Sequence, residues 1–241
     1  MTLARTWVAV LLLCTGMHGQ LATVHARVEL EGSSKGGRTP FPNTVIWLTP
    51  AAGTPTDPPR GAINPSAPAR LTQKNKSFEP HVLVVPAGTP VEFPNRDPFF
   101  HNVFSLFEGK RFDLGLYEAG SSRIVHFDRP GISYIFCNIH PEMSAVVITL
   151  STPFYAVANG EGQLRIPNVP YGRYVMHVWT EGTGPENALP SSHDITIAEN
   201  STSLGVIRVP TINGRSLAHK NKYGRDYDAP TPENPVYHQQ P

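Results

Sequence analysis

Prolines and glycines interrupt this sequence at short intervals and leave little room for long helices. The 241 residues include 25 prolines and 20 glycines, and long periodic apolar runs are missing between them. Such a sequence favours short strands joined by many turns. We therefore predict an all-β protein. A chain of this length fits two small domains more comfortably than one large one.

The charge balance argues against a nucleic-acid partner. Lys and Arg number 20 and Asp and Glu number 19, so the formal net charge is +1. Proteins that bind nucleic acids usually present a basic face. Beyond the first 22 residues, no segment is apolar for long enough to form a transmembrane helix. We expect neither nucleic-acid binding nor a membrane span.

The first 22 residues have the pattern of a secretion signal. Arg5 gives the segment a positive charge, and residues 7–14 form an apolar core too short to span a bilayer. Three candidate cleavage positions follow small residues: Gly19, Ala22 and Ala26. Cys14 could instead carry a lipid, but Leu13 precedes it where a lipoprotein signal has a small residue. We expect an exported, soluble protein, located in the periplasm or otherwise outside the cytoplasm.

Removal of this signal leaves Cys137 as the single cysteine of the chain. No internal disulfide can then form, and a free thiol in an oxidising compartment is open to oxidation. Such a cysteine is either deeply buried and inert or bound to a metal. Its neighbours favour the metal, because Cys137, His140 and Met143 stand at Cys-x2-His-x2-Met spacing directly after a predicted strand at residues 131–136.

A thiolate, an imidazole and a thioether in one short loop suit copper. Two His ligands, one Cys and a weak axial Met form the ligand set of an electron-transfer copper site. His101 is the best candidate for the second imidazole, since it lies between a turn-rich segment and an apolar strand. Glu142 is an alternative axial ligand that would give a harder site. We predict one copper per chain, with these metal ligands: His101, Cys137, His140 and Met143.

These motifs resemble the cupredoxin family. The resemblance covers residues 71–150 and is carried by Phe-x-Asn-x-Asp at 93–97, by His101-Asn102-Val103 and by the Cys-x2-His-x2-Met loop, whose short length is similar to that of amicyanin. It implies a Greek-key β-sandwich with a type 1 (blue) copper that exchanges single electrons with protein partners. One position departs from the pattern: Asn138 follows the cysteine, where many relatives carry Thr or Ser.

We expect an electron carrier rather than an enzyme. Copper oxidases and nitrite reductases need a further copper site, and this chain has no His-x-His pair to form one. Copper delivery or storage uses the same ligands and stays open as an alternative. So does a docking module that copper merely stabilises. We expect a monomer whose partners are redox proteins of unknown identity.

The segments on either side of the copper segment are predicted to belong together. Residues 51–70 contain five prolines and predict a linker, which separates strands within 23–50 from the copper domain at 71–150. The pattern Gly-x-Leu-x-Ile-x-x-Val-Pro-x-Gly-x-Tyr at 162–174 is similar to carboxypeptidase regulatory-like (transthyretin-like) sandwich domains. Those domains open with a strand pair, which here would be provided by 23–50 and not by residues 151–210.

Each outer segment thus lacks strands that the other provides. A short sheet with an uncovered apolar face is marginal in water, so we expect the two segments to form one small β-sandwich into which the copper domain is inserted. Trp47 would then contact the core of residues 155–209. The alternative is that the first strands join the copper sandwich instead. Residues 211–241, rich in proline and polar residues, predict a disordered tail.

Overall fold

The computed structural model describes residues 20–31, 43–54, 68–106, 109–182, 190–210 and 219–227. Within these ranges all regular secondary structure is β-strand, which confirms the predicted all-β fold class, and no helix has the length and hydropathy of a membrane span. The strands are β1 (Leu21–Leu30), β2 (Thr44–Pro50), β3 (Ala69–Arg70), β4 (Thr72–Lys74), β5 (Ser77–Glu79), β6 (Val82–Pro86), β7 (Thr89–Pro94), β8 (His101–Ser105), β9 (Phe112–Tyr117), β10 (Ser122–Phe127), β11 (Gly131–Cys137), β12 (Ser144–Leu150), β13 (Tyr155–Val157), β14 (Gln163–Pro170), β15 (Gly172–Thr180), β16 (Ser191–Ile197) and β17 (Ser203–Val209).

Strands β3 to β12 form the central sandwich. Its larger sheet has the order β6-β12-β11-β8-β9, its smaller sheet has the order β10-β7-β3, and β4 and β5 form a separate hairpin. Pairing is antiparallel except for β6 with β12 and β3 with β7. Residues of both sheets share one buried apolar core, which includes Val91, Phe93, Val103, Val125, Phe127, Ile135 and Val147.

The flanking sandwich combines strands from both ends of the chain. β1 lies between β14 and β17, and β2 lies between β13 and β15 in a sheet that ends with β16. Trp47 is paired with Tyr155 of β13 and His177 of β15. Apolar side chains from both ends of the chain form one core, which includes Val24, Val28, Ile46, Leu48, Ile166 and Tyr174. The division of the chain into separate domains stays a prediction.

The two sandwiches pack against each other through a third apolar cluster. Its buried members are Val45, Trp47 and Trp179 of the flanking sandwich and Val146, Ile148 and Leu150 of the central sandwich. The side chain of Trp47 therefore lies in this interface rather than in the flanking core. Strand β2 is buried on both of its faces, and this double burial explains its unbroken apolar run, Val45-Ile46-Trp47-Leu48.

Two predicted boundaries do not coincide with the ends of the strands. β1 already begins at Leu21, and Leu21 and Ala22 pair with β14, so the strand starts within the segment predicted as a signal peptide. Of the candidate cleavage positions, only that after Gly19 leaves β1 intact. Residues 1–19 lie outside the described residues, and the signal peptide stays a prediction. The predicted linker also ends early, because β3 pairs with β7; its residues 55–67 lie outside the described ranges.

Residues 219–227, which we call the C-terminal strap, lie within the segment predicted as a disordered tail and contact the central sandwich. The ring of His219 stacks on that of Phe136, with centroids 4.0 Å apart. Along β11, Ile132 and Tyr134 pack against the flanking sandwich, whereas the strap covers Phe136. Burying an aromatic ring stabilises a fold. The contact with Phe136 therefore stabilises the strap in its position on the sheet. Residues 211–218 and 228–241 lie outside the described ranges.

Candidate metal centre

Strand register brings His101 and Cys137 together. In the antiparallel pair β8 and β11, Cys137 lies opposite Val103. Alternate residues of a strand share a face, so His101, two residues before Val103, projects to the same face as Cys137. This is the inner face of the central sandwich, and both side chains have no solvent exposure. Two residues 36 positions apart are thereby fixed by the sheet rather than by a loop.

His140 and Met143 lie in the loop between β11 and β12. The Met143 N–H donates to the His140 carbonyl at 3.1 Å, and the Cys137 N–H donates to the Met143 carbonyl at 3.2 Å. These bonds close the loop on itself, so that His140 returns towards Cys137. Met143 is fully buried in the core cluster that contains Cys137, whereas Glu142 beside it is exposed.

Three donor atoms face one another at this place. The Cys137 Sγ lies 3.6 Å from the Nδ1 of His101 and 3.6 Å from the Nδ1 of His140, and the two Nδ1 atoms are 3.2 Å apart. Metal bonds of about 2.0 Å from His nitrogen and about 2.3 Å from Cys sulfur place three such ligands roughly 3.5 Å apart. The triangle therefore has the size that a transition-metal ion requires. Of the residues that the structure describes, these form the one group of three His, Cys, Asp or Glu side chains that could hold a metal.

A buried carboxylate orients His101. The Nε2 of His101 donates to Oδ2 of Asp97 at 2.8 Å, and both side chains are buried. Because an ionised carboxylate only accepts, the proton is on Nε2, and Nδ1 turns its lone pair towards the other two donors. Asp97 also accepts the backbone N–H groups of Asn75 and Lys76. Carboxylate–histidine pairs of this kind commonly support metal-bound imidazoles.

The protonation of the site suits a cation. Burial alone would raise the pKa of Asp97, but hydrogen bonds from the Lys76 N–H, from His101 and from the Asn75 N–H lower it. Burial lowers the pKa of His101, and burial together with repulsion from His101 lowers the pKa of His140 to about 4. Both imidazoles are therefore neutral near pH 7, which is the form that binds metals.

Burial shifts the pKa of the Cys137 thiol in the opposite direction to the pKa values of the two histidines. Burial raises its pKa, and backbone N–H groups of Ile139, Asn102 and His140 offset only part of that effect. Without a cation the sulfur is therefore held as a neutral thiol. A bound cation favours the thiolate, so metal binding would release a proton from this residue.

An aromatic ring separates the donors from solvent. The Phe99 ring packs on both imidazoles, with centroid distances of 5.3 Å to His101 and 5.4 Å to His140. His140 is 7% exposed, whereas His101 and Cys137 are not exposed at all. His140 is therefore the donor nearest to the surface.

The structure brings three of the four predicted ligands into one triangle and buries the fourth, Met143, in the same core. That all four bind a metal stays a prediction. Sequence reasoning missed the role of Asp97, although an acidic residue four positions before His101 was a signal that could have suggested it. Asn95 was missed as well: its side chain accepts the Asp97 N–H at 3.0 Å and donates to the Phe99 carbonyl at 2.8 Å, which fixes the turn that presents Asp97.

Comparison with known proteins gives partial similarities. No protein-family model and no curated protein matches the chain. Among solved structures, a purple cupredoxin from Nitrosopumilus maritimus is 23% identical over 34% of this chain and 99% of its own, with a TM-score of 0.31. Amicyanin from Paracoccus versutus is 21% identical over 44% of this chain and 97% of its own, with a TM-score of 0.33. A copper-containing nitrite reductase from Thermus scotoductus SA-01 is 22% identical over 51% of this chain and 28% of its own, with a TM-score of 0.34.

Proposed function

We propose that this protein binds one copper ion through His101, Cys137, His140 and Met143 and transfers single electrons between redox proteins. The observation that carries the proposal is the convergence of one thiol and two imidazole nitrogens, 3.2 to 3.6 Å apart, inside the sandwich. Thiolate and imidazole together select copper or zinc, and a thioether beside them favours copper.

The surroundings of the donors favour electron transfer. When bound, copper supplies a one-electron couple, and a carrier benefits from ligands that move little between the two oxidation states. Here His101 is held by Asp97, and Cys137 is the last residue of a paired strand. Dense packing of this kind resists rearrangement. We propose that the ligands are fixed by the fold before the metal arrives.

The same enclosure favours a carrier over an enzyme or a delivery protein. Metal-assisted catalysis needs a coordination position that a substrate can reach, and the three donors are at most 7% exposed. A delivery protein needs ligands that release the metal readily. Three buried donors covered by Phe99 instead favour retention of the metal. We propose that the protein has no catalytic role of its own. The signal-like pattern of residues 1–22 supports export, and we propose the periplasm as its location.

Met143 is proposed as the axial ligand in preference to Glu142. Met143 is fully buried next to Cys137 in the core, whereas Glu142 is exposed. Replacement of Met143 by Leu should leave copper bound and raise its reduction potential, because a weak donor is lost. If Glu142→Gln shifts the visible spectrum more than Met143→Leu does, the carboxylate is the axial ligand instead.

The test is a titration of the metal-free protein with Cu(II). We expect one equivalent to bind and to give an intense blue thiolate-to-copper band, which Cys137→Ser abolishes. A full band in that variant, or no binding by the unmodified chain, would overturn the proposal. Repeated chemical reduction and reoxidation without loss of copper is expected of a carrier; ready transfer of Cu(I) to a chelator on reduction would point to delivery.

A further inference from the structure

The C-terminal strap is bonded directly to the residue that provides the sulfur. The Tyr227 hydroxyl donates to the carbonyl of Cys137 at 2.7 Å. Its oxygen accepts the Nδ1–H of His219 at 3.1 Å. Because a carbonyl only accepts, the direction of this pair of bonds is fixed: His219 to Tyr227 to Cys137. A segment 90 positions further along the chain thus holds the main chain of a proposed copper ligand.

A second bond holds the next residue of the loop. The backbone N–H of Lys222 donates to Oδ1 of Asn138 at 2.9 Å. From the other side, the N–H of Asn138 donates to the carbonyl of Asn102, the neighbour of His101, at 2.8 Å. Asn138 is the residue that departs from the cupredoxin pattern, and its amide is long enough to reach the strap. The first loop residue after Cys137 is therefore held between β8 and the strap.

The strap is also tied to the strand beside His101. The Nζ of Lys222 lies 2.8 Å from Oδ2 of Asp113, and this lysine side chain is 19% exposed. Oδ1 of the same carboxylate accepts the side-chain amide of Asn102 at 2.7 Å. A charge-assisted bond of this kind is stronger than one between neutral groups. It connects the strap to β9 and, through Asn102, to β8, the strand that carries His101.

The strap is folded on itself and can dock as a unit. Oδ1 of Asn221 accepts the N–H groups of Tyr223 and Arg225 at 3.0 and 3.1 Å, and the Gly224 N–H donates to the Asn221 carbonyl at 2.9 Å. Gly224 has a φ of +73°, which glycine adopts without strain. The contact between His219 and Tyr227 closes the two ends. The strap is therefore a compact turn rather than an extended tail.

We propose that the C-terminal strap is a clamp on the copper-ligand loop, with Tyr227 and Lys222 as positioning residues for Cys137 and Asn138. This inference rests on the proposed copper site. The docked strap keeps the Cys137 main chain against β8 and its sulfur directed at the two imidazoles. When the strap lifts, the loop gains freedom and copper leaves faster. The residence time of copper is thus set partly by a segment that contributes no ligand.

The first test uses the metal-free full-length protein, so that it does not depend on copper binding. Tyr227→Phe removes the hydroxyl that bonds to Cys137, and Tyr223→Phe makes the same chemical change on the same strap at a residue that is 71% exposed. Loss of one hydrogen bond of ordinary net strength corresponds to roughly a three- to tenfold change in an opening equilibrium. We expect the backbone amides of residues 137–143, apart from Pro141, to exchange hydrogen for deuterium faster by that factor in Tyr227→Phe, and their exchange to be unchanged in Tyr223→Phe.

The second test measures copper loss from the Cu(I)-loaded protein to excess bathocuproine disulfonate. Tyr227→Phe should lose copper roughly three- to tenfold faster than the unmodified chain, and Tyr223→Phe at the unmodified rate. Asn138→Ala should resemble Tyr227→Phe, whereas Asn138→Asp, which keeps the acceptor oxygen, should not. Equal rates in all variants, or equal acceleration by both tyrosine changes, would overturn the clamp. If the unmodified chain bound no copper, the proposed function would fail, and the exchange experiment would still decide the clamp.

Discussion

The central and flanking sandwiches bury different kinds of side chain. The core of the flanking sandwich is a cluster of apolar residues with the hydroxyl of Tyr174, and the other polar side chains buried there are threonines, Thr44, Thr152 and Thr180. The central sandwich also buries polar and ionisable side chains at the end that carries the donor triangle: Gln73, Asn95, Asp97, His101, Asn102 and His140. A buried polar group costs free energy unless it is bonded. The buried side chains of the flanking sandwich therefore contribute mainly to stability, whereas one end of the central sandwich buries groups that can bind a ligand or exchange a proton.

Hydrogen bonds connect the polar side chains that are buried at this end of the central sandwich. The Tyr117 hydroxyl donates to Oε1 of Gln73 at 2.5 Å, and the Gln73 amide donates to the Pro94 carbonyl at 3.4 Å. Asn95 and Asp97 continue this arrangement to His101. A fully bonded network of this kind rigidifies a core. It ends at the donor triangle, which supports the view that the network holds the triangle in place.

The largest expected effect concerns the completeness of the flanking sandwich. A chain of residues 151–241 lacks β1 and β2, which lie between the strands that remain, so we expect it to show no cooperative unfolding transition. As a control, residues 20–54 joined through a short Gly-Ser linker to residues 151–210 should unfold cooperatively. The two pieces meet near this junction, because the Thr152 hydroxyl donates to the carbonyl of Leu48, six residues before the end of the first piece, at 2.8 Å. Cooperative melting of the 151–241 chain by itself would show that the sandwich is not shared between the two ends.

The next prediction separates stability from metal binding. Leu48 is fully buried in the flanking core, so Leu48→Ala should lower the free energy of unfolding by about 2–5 kcal/mol. The visible spectrum of the copper-loaded protein should not change, because no donor or donor partner is touched. Val206→Ala, at a residue 48% exposed, serves as the control and should cost far less. Denaturant titration and absorption spectroscopy measure the two quantities; a spectral change in folded Leu48→Ala would mean that the two regions are not separable.

A smaller effect is expected from the carboxylate behind His101. Asp97→Asn removes a buried negative charge but keeps an acceptor oxygen, so copper should stay bound. Because a nearby anion stabilises Cu(II) more than Cu(I), its loss should raise the reduction potential, by roughly 50 mV if a charged hydrogen bond is replaced by a neutral one. Glu92→Gln changes a carboxylate of the same sandwich that is bonded to Arg70 at its surface and should leave the potential unchanged. Cyclic voltammetry provides the measurement, and equal potentials in Asp97→Asn and the unmodified protein would contradict the assigned role.

The smallest effect concerns the ion pair that joins the two sandwiches. The pKa of His81 is raised, chiefly by its hydrogen bond to Glu181, and the pKa of Glu181 is lowered by hydrogen bonds from His81 and Asn43 that outweigh burial. The His81 contribution is present below its unfolded pKa near 6.5 and is lost as the pH rises through the folded value. The Glu181 contribution is present above its unfolded pKa near 4.5 and is lost as the pH falls through the folded value.

The pair should therefore stabilise the protein most between about pH 4.5 and 6.5. Both side chains are partly exposed, so solvent screens the pair and the effect should stay below about 1 kcal/mol. Melting temperatures of the unmodified protein and His81→Gln between pH 4 and 8 give the test. The difference should be largest near pH 5.5 and should shrink towards pH 8; a difference that does not depend on pH would exclude the ion pair as its cause.

Features that depend on neighbouring residues could be predicted from the sequence, whereas features that depend on contacts between distant residues could not. The Cys-x2-His-x2-Met spacing is local, so three candidate ligands could be read directly, and His101 needed only the expectation of a neighbouring strand. The role of Asp97 was missed because it depends on a turn that brings the carboxylate next to His101. The strap was missed for a longer-range reason: residues 219–227 have no periodicity of their own, and only the partly uncovered face around Phe136 gives them a place to pack.

Everything proposed for this protein depends on one copper ion that is bound by a sulfur and two imidazole nitrogens inside the central sandwich. X-ray absorption at the copper edge of the loaded protein tests it most directly. We expect one sulfur scatterer at about 2.3 Å and two nitrogen scatterers at about 2.0 Å, with the sulfur scatterer lost in Cys137→Ser. Copper surrounded only by nitrogen and oxygen in the unmodified protein, or an unchanged sulfur contribution in Cys137→Ser, would contradict it.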